Sequence, residues 1–204
     1  MRNTISPRFF LLLVSALVLA GCSSTRSVME WREEAFSGKL DNILVIAAIE
    51  ERAQQRAIED AYVKQFGDVA VKAIPGYTLL ADETVLSRAT VEAAIAGQEI
   101  DAVLVTRLLG VEEVEEYQPP SGIEYYQSYH RYYAQARVYS SPGYYIRYKV
   151  LTLETNVYDT ASQQLIWSMQ SESLEPSAPQ DVIDEQIALT VKRLAAGGLL
   201  PVAP

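Results

Sequence analysis

This 204-residue chain holds one cysteine, Cys22, and one histidine, His130. A lone thiol closes no disulfide within the chain, so its stability must come from a packed core. One imidazole without a second histidine or cysteine gives no zinc site, and His130 reads as a surface residue. Basic side chains are few: 17 Lys and Arg face 26 Asp and Glu, a formal net charge of −9. Such a surface repels nucleic acid, whose binding depends on neutralising phosphates. The apolar run Phe9–Ala20 has 12 residues, short of the ~20 that a membrane-spanning helix needs. Recognisable chemistry is missing too. There is no Gly-x-Ser-x-Gly elbow and no phosphate-cradling glycine loop, so no catalytic residue, metal ligand or cofactor is assigned. A cell-wall hydrolase assembled from distant Ser, Asp and Glu residues stays as an alternative.

What is present begins at the amino terminus. Arg2 and Arg8 give a positive opening, Phe9–Ala20 a short apolar centre, and small residues stand just before Cys22; this is the make-up of a processed targeting segment. Residues 1–21 read as the signal peptide. Leu19, Ala20, Gly21 and Cys22 resemble the lipobox of bacterial lipoproteins. That resemblance implies cleavage between Gly21 and Cys22 and a thioether-linked diacylglycerol on Cys22, which makes the membrane a partner. Each buried methylene contributes ~0.8 kcal/mol, and two or more acyl chains hold where one is marginal. An ordinary secretory signal followed by a free cysteine is the alternative. Ser23 occupies the position at which lipoproteins retained in the inner membrane of enteric bacteria usually carry Asp, so the resemblance implies the outer membrane, facing the periplasm.

Residues 22–39 are polar, with Trp31 and Phe36 as the large apolar side chains, and read as a tether able to hold a domain up to roughly 60 Å from the membrane. Residues 40–198 read as one domain and 199–204 as a tail. Ile43–Ile49 is almost continuously apolar, as in a strand covered on both faces. Ala53, Ala57, Ile58, Ala61, Tyr62 and Phe66 recur at helical spacing, predicting a helix over about 50–66 stopped by Gly67. A strand is expected over Val69–Ile74. One or two short helices follow between Asp82 and Gln98, capped by Asp82 and Thr90, and then a buried strand over Ala102–Thr106. Residues 146–173 read as a β-hairpin, with Leu151, Leu153, Thr155 and Val157 on its core face. Val182, Ile183, Ile187, Val191 and Leu194 mark a helix over Pro179–Ala196 that ends at Gly197 and Gly198. The expected fold class is α/β: a single mixed-sheet domain, β-α-β-α-β followed by a β-hairpin and a C-terminal helix.

That order, with Asp101-Ala-Val-Leu-Val-Thr after Gly97 and Val157-Tyr-Asp-Thr followed by Leu165-Ile-Trp, resembles periplasmic lipoproteins related to the amino-terminal domain of the TolB family. The resemblance spans about residues 40–196, implies the α/β fold, and carries no catalytic residue. A second domain such as a propeller is not evident, so TolB's own partners do not transfer.

Residues 111–146 read as an insertion in this domain. Ten of the chain's 13 tyrosines lie between Tyr117 and Tyr148. Tyr joins a large apolar ring to a polar tip and loses little side-chain entropy on fixing, which suits contact surfaces. Tyr125, Tyr126, Tyr129, Tyr132 and Tyr133 are the candidate binding residues, for an envelope protein or cell-wall partner. A long structural hairpin or loop bent by Pro119, Pro120, Pro142 and Gly143 is the other reading. Alternation through Tyr129, Arg131, Tyr133 and Gln135 also suggests a subunit of an oligomeric secretion or pore complex, by analogy with channel-forming lipoproteins such as the curli channel; His130, Arg131, Gln135 and Arg137 oppose an apolar outer face. Glu112, Glu113, Glu115 and Glu116 lack the alternating ligands and turning glycine of a calcium loop and read as a solvated acidic strand or loop.

Overall fold

A computed structural model describes residues 25–81, 86–119, 143–174 and 179–201. The strands are β1 (Thr25–Arg32), β2 (Asn42–Ala48), β3 (Lys72–Pro75), β4 (Ala102–Gln118), β5 (Tyr144–Asp159) and β6 (Leu165–Leu174). The helices are α1 (Arg52–Asp68), α2 (Arg88–Ile95) and α3 (Pro179–Ala196), and a 3₁₀ turn covers Gly76–Thr78. One mixed sheet runs in the order β1-β6-β5-β4-β2-β3. The pairs β2–β3 and β2–β4 are parallel; β4–β5, β5–β6 and β1–β6 are antiparallel. This is the α/β class that the element order predicts, with the C-terminal helix at its expected bounds.

The apolar run of β2 becomes the centre of the core. Ile43, Leu44 and Val45 are completely buried. On one face Tyr62 and Phe66 of α1 and Ile187 and Leu194 of α3 pack against Val45, Leu104, Val157 and Trp167. On the other face a smaller cluster joins Leu44, Ile46, Ile100 and Val103 to Val91 and Ile95 of α2. Glu59 is a buried carboxylate that ties α1 to its neighbours, accepting from the backbone N–H groups of Ala47 and Tyr77 at 3.0 and 2.9 Å.

Several boundaries differ from the sequence pattern for local reasons. Residues Thr25–Arg32 form the sheet's edge strand, paired with β6 from Thr25↔Ser173 to Arg32↔Trp167, where the composition predicts spacer. Most of their side chains face solvent, Val28, Met29 and Trp31 among them, so this edge strand is held by its backbone and carries no burial pattern. Leu199 and Leu200, expected in the tail, are buried, and Leu40 N–H donates to the Leu199 carbonyl at 2.9 Å. Helix α1 continues through Gly67. Its terminus is a reciprocal pair of bonds, Val71 N–H to Phe66 O and Ala70 N–H to Gly67 O, with Ala70 at φ +59°; this is the Schellman arrangement, and it delays β3 to Lys72. Helix α2 starts at Ser87, whose hydroxyl accepts from Thr90 N–H at 3.3 Å while Ser87 N–H donates to Thr90 Oγ1 at 2.9 Å. Thr90 is therefore the inner partner of a reciprocal cap, not the cap itself. Asp82 lies outside the described residues.

The two helix ends make opposite predictions. Gly198 closes α3 at φ +71° in the same way that Ala70 closes α1. A left-handed residue other than glycine is disfavoured by about 1–2 kcal/mol. In urea unfolding, Gly198→Ala should cost about 1 kcal/mol and Ala70→Gly should add about 0.5 kcal/mol, the gain being trimmed by glycine's larger unfolded-state entropy. A destabilised Ala70→Gly variant would contradict this account of the turn.

Candidate functional site

Strands β4 and β5 have 17 and 16 residues, whereas their sheet neighbours have seven and ten. The β2 partner ends at Ala48↔Arg107 and the β6 partner at Leu174↔Val150. Beyond those points β4 and β5 pair only with each other, as far as Gln118↔Tyr144. A two-stranded ribbon therefore stands off the end of the domain. The residues that the sequence groups as an insertion from 111 thus begin as regular strand. At its root Leu109 is bulged out between Leu108↔Leu153 and Gly110↔Thr152; a bulge raises local twist and re-aims the strands.

Along the ribbon the chemistry changes in steps. The root is apolar and exposed, with Leu108, Leu109 and Val111 at 46%, 42% and 55% of their full accessibility. The middle is charged: Glu113 sits opposite Lys149, and Arg147 Nε donates to Glu115 Oε1 at 2.9 Å. That bond holds the Arg147 guanidinium above its ordinary pKa. The end is aromatic. Tyr117 and Tyr145 pack with ring centroids 5.1 Å apart, and Tyr144, Tyr145 and Ile146 are exposed. The four glutamates at 112–116 are the solvated acidic strand of the sequence reading, facing Arg147, Lys149 and their neighbours across the ladder.

Among the described residues, two concave surfaces border β4 and β5. One, of about 470 Å³, lies between α1, α3 and the roots of β4 and β5, and is lined by Ala53, Ala57, Leu108, Leu153, Ile183 and Gln186 among others. Ala53 and Ala57, placed by their periodicity with the core, are exposed here. Its floor is polar. Tyr62 OH donates to Thr190 Oγ1 at 3.4 Å, Thr190 Oγ1 donates to the Gln186 carbonyl at 2.9 Å, and Thr106 and Thr155 share a bond of 3.1 Å. Ser171 Oγ donates to Gln186 Oε1, leaving Gln186 Nε2 as a buried donor without a partner. The other concavity, of about 390 Å³, lies between α2 and the opposite sheet face, near Val105, Tyr158 and Gln163. Across that face Arg107 Nε donates to Glu154 Oε2 at 2.7 Å and holds the Glu154 carboxyl below its usual range.

Of the residues singled out from the sequence, Gly21, Cys22, Tyr125, Tyr126, Tyr129, Tyr132, Tyr133 and His130 lie outside the described residues. The ribbon brings together Tyr117, Tyr144, Tyr145 and Tyr148 from the two ends of the tyrosine tract. Sequence reasoning missed Leu108, Leu109, Val111 and Ile146 as exposed apolar contacts. The run Val111-Glu-Glu-Val114-Glu-Glu-Tyr117 has a period of three rather than the period of two that marks a strand, so the pattern gave no signal. Asp101 and Thr160, from the two phrases singled out in the sequence, are structural. Asp101 Oδ2 accepts from the N–H groups of Asp41 and Asn42, both at 2.9 Å, and Thr160 Oγ1 donates to the Ile100 carbonyl at 2.6 Å. Among the described residues no group of three or more His, Cys, Asp or Glu side chains is placed to hold a metal ion, and no helix is long and apolar enough to cross a membrane.

The body and ribbon define a single-sheet α/β domain with a projecting arm. No protein-family model matches the chain, and no curated protein matches it. Among solved structures it is similar to the PelC dodecamer of Paraburkholderia phytofirmans, at 10% identity and a TM-score of 0.46 over 83% of this chain and 96% of that one. It is also similar to lipoprotein GNA1162 of Neisseria meningitidis, at 12% identity and a TM-score of 0.40 over 76% and 98%. A PDZ domain protein of Parabacteroides distasonis is similar at 10% identity and a TM-score of 0.40, over 95% of this chain and 41% of that one.

The polar floor yields a pH prediction. Burial pushes the Tyr62 phenol above its ordinary pKa, while hydrogen bonds to Thr190, Thr155 and Thr106 act the other way. The folded state thus keeps a proton that the unfolded chain releases near pH 10, so this stability is complete below about pH 10 and is lost as pH rises through the folded value. Urea midpoints measured at about pH 7 and about pH 11 should fall further in the wild type than in Tyr62→Phe. An equal fall in both would remove Tyr62 as the cause.

Proposed function

We propose that this chain is a lipid-anchored, non-enzymatic protein of the bacterial outer membrane, facing the periplasm, which works by contact and binds or supports an envelope assembly. The observation that carries the reading is the unsupported ribbon. A two-stranded hairpin alone is marginal in water, and this one presents Leu109, Val111, Tyr117, Tyr144 and Tyr145, each at least 42% exposed. Aromatic rings that lose little entropy on fixing are the side chains a contact surface uses. Tyr125, Tyr126, Tyr129, Tyr132 and Tyr133 lie between the two ribbon strands in sequence and belong to the same contact in this reading. The lipobox-like quartet ending at Cys22 supports the address, and the acidic surface supports a partner other than nucleic acid.

The pore-subunit alternative requires strands with one apolar face along about 9–11 residues. In the described ribbon one face carries Glu113, Lys149, Glu115 and Arg147, and the other carries Glu112 and Glu116. Neither face is apolar along its length, so contact is the better reading.

Two variants test this. Cys22→Ala should move the protein from the membrane pellet to the soluble fraction; unchanged sedimentation would defeat the anchor. Tyr117→Ser combined with Tyr144→Ser and Tyr145→Ser should cut the cross-links that the ribbon makes to envelope components, lipid and protein counted together, by about five-fold or more, with an unaltered urea midpoint. Full recovery would take the ribbon out of the contact.

A further inference from the structure

The ribbon and the anchoring cysteine leave the domain at the same end. Thr25 at the start of β1 is level with Ser173 on β6, which is level with Leu151 on β5 and, through it, with Val111 on β4. Thr25 is fixed to the body: its hydroxyl shares a 2.6 Å bond with Ser173, and its N–H donates to Glu185 Oε2 at 3.1 Å. Cys22 precedes Thr25 by three residues, so its α-carbon is tied within roughly 11 Å of that level and its sulfur, two bonds further out, within roughly 14 Å. Tyr144 lies seven residues beyond Leu151, about 23 Å at strand rise. Strands two apart in a sheet diverge by about 45°, which leaves a projection of about 16 Å along β1. The ribbon end therefore outreaches the sulfur.

We infer that the end of the β4–β5 ribbon lies in the interfacial zone of the bilayer that holds the lipid on Cys22, with Tyr117, Tyr144, Tyr145 and Ile146 among the lipid headgroups. This rests on the lipid-anchor reading above and names the partner of the ribbon end. The side-chain order agrees. Tyrosine's amphipathic ring favours the membrane–water boundary, and a surface-lying element sinks about 5–10 Å into it. The charged middle, Glu113, Glu115, Arg147 and Lys149, then remains in water between membrane and body. The domain sits directly on the membrane, in place of the expected stand-off of roughly 60 Å.

The test uses the full acylated protein in phosphatidylethanolamine–phosphatidylglycerol vesicles. Its anchor sulfur is blocked by lipid, so a polarity-sensitive fluorophore can be placed on Tyr145→Cys, on Tyr144→Cys as a second reporter, or on Ala161→Cys in the exposed turn at the opposite end of β5. Vesicles carrying nitroxide lipids should quench the two ribbon labels about two-fold, as expected at interfacial depth, and leave the Ala161 label unchanged. Ribbon labels that stay as water-exposed as the Ala161 label overturn the inference. Labels shielded from water but unquenched overturn it in favour of a protein partner. The intact mass of the chain separates the two levels: lipid on Cys22 with unquenched ribbon labels refutes only the bilayer contact, whereas a bare thiol refutes the anchor and this inference together.

Discussion

Two adjacent strands are longer than the sheet that holds them, and the rest of the account follows from that mismatch. Within the domain each strand has partners and a covered face. Past Arg107 and Val150, β4 and β5 have only each other. The ribbon must then be held by its own cross-strand pairs, each worth a few tenths of a kcal/mol, or by something outside the chain. The Arg147–Glu115 pair and the tilted rings of Tyr117 and Tyr145 are such pairs. They are exposed, and exposed pairs add little.

The body that carries the ribbon is built to stay fixed. Leu104, Val157 and Trp167 pass through the sheet centre without exposure, and α1 and α3 close one face over them. Polar groups, buried at Glu59 and partly buried at Asp101, mark where elements join. Glu59 fastens α1 to the ends of β2 and β3, and Asp101 fastens the starts of β2 and β4. Asp101 and Thr160 bond backbone groups at one end of the sheet, remote from the ribbon, so they hold the fold together.

The fold was readable where periodicity was strong. The apolar run of β2, the stripe of α3 and the alternation through Leu153, Thr155 and Val157 each gave an element of the right type, because burial on a regular element imposes a regular pattern. Legibility failed where backbone geometry decided. Ala70 takes a left-handed turn that no residue type announced, and β1 is an edge strand exposed along most of its length, so burial imposes no pattern on it. The proposed contact surface was half legible. Tyrosine enrichment marked its location, but the register that sets Thr25, Ser173, Leu151 and Val111 level appears only once the strands are paired. That register replaces the expected tether over residues 22–39 by a short link before Thr25.

Amide hydrogen exchange tests the central claim most directly, comparing the acylated protein on vesicles with the same domain free in solution. Amides of Val111–Gln118 and Tyr144–Lys149 should exchange fast in solution, as exposed two-stranded backbone does, and should slow by about ten-fold or more on the membrane, with the amides of α1 unaltered. Equal ribbon exchange in the two states would contradict the claim that the ribbon is completed by what it touches.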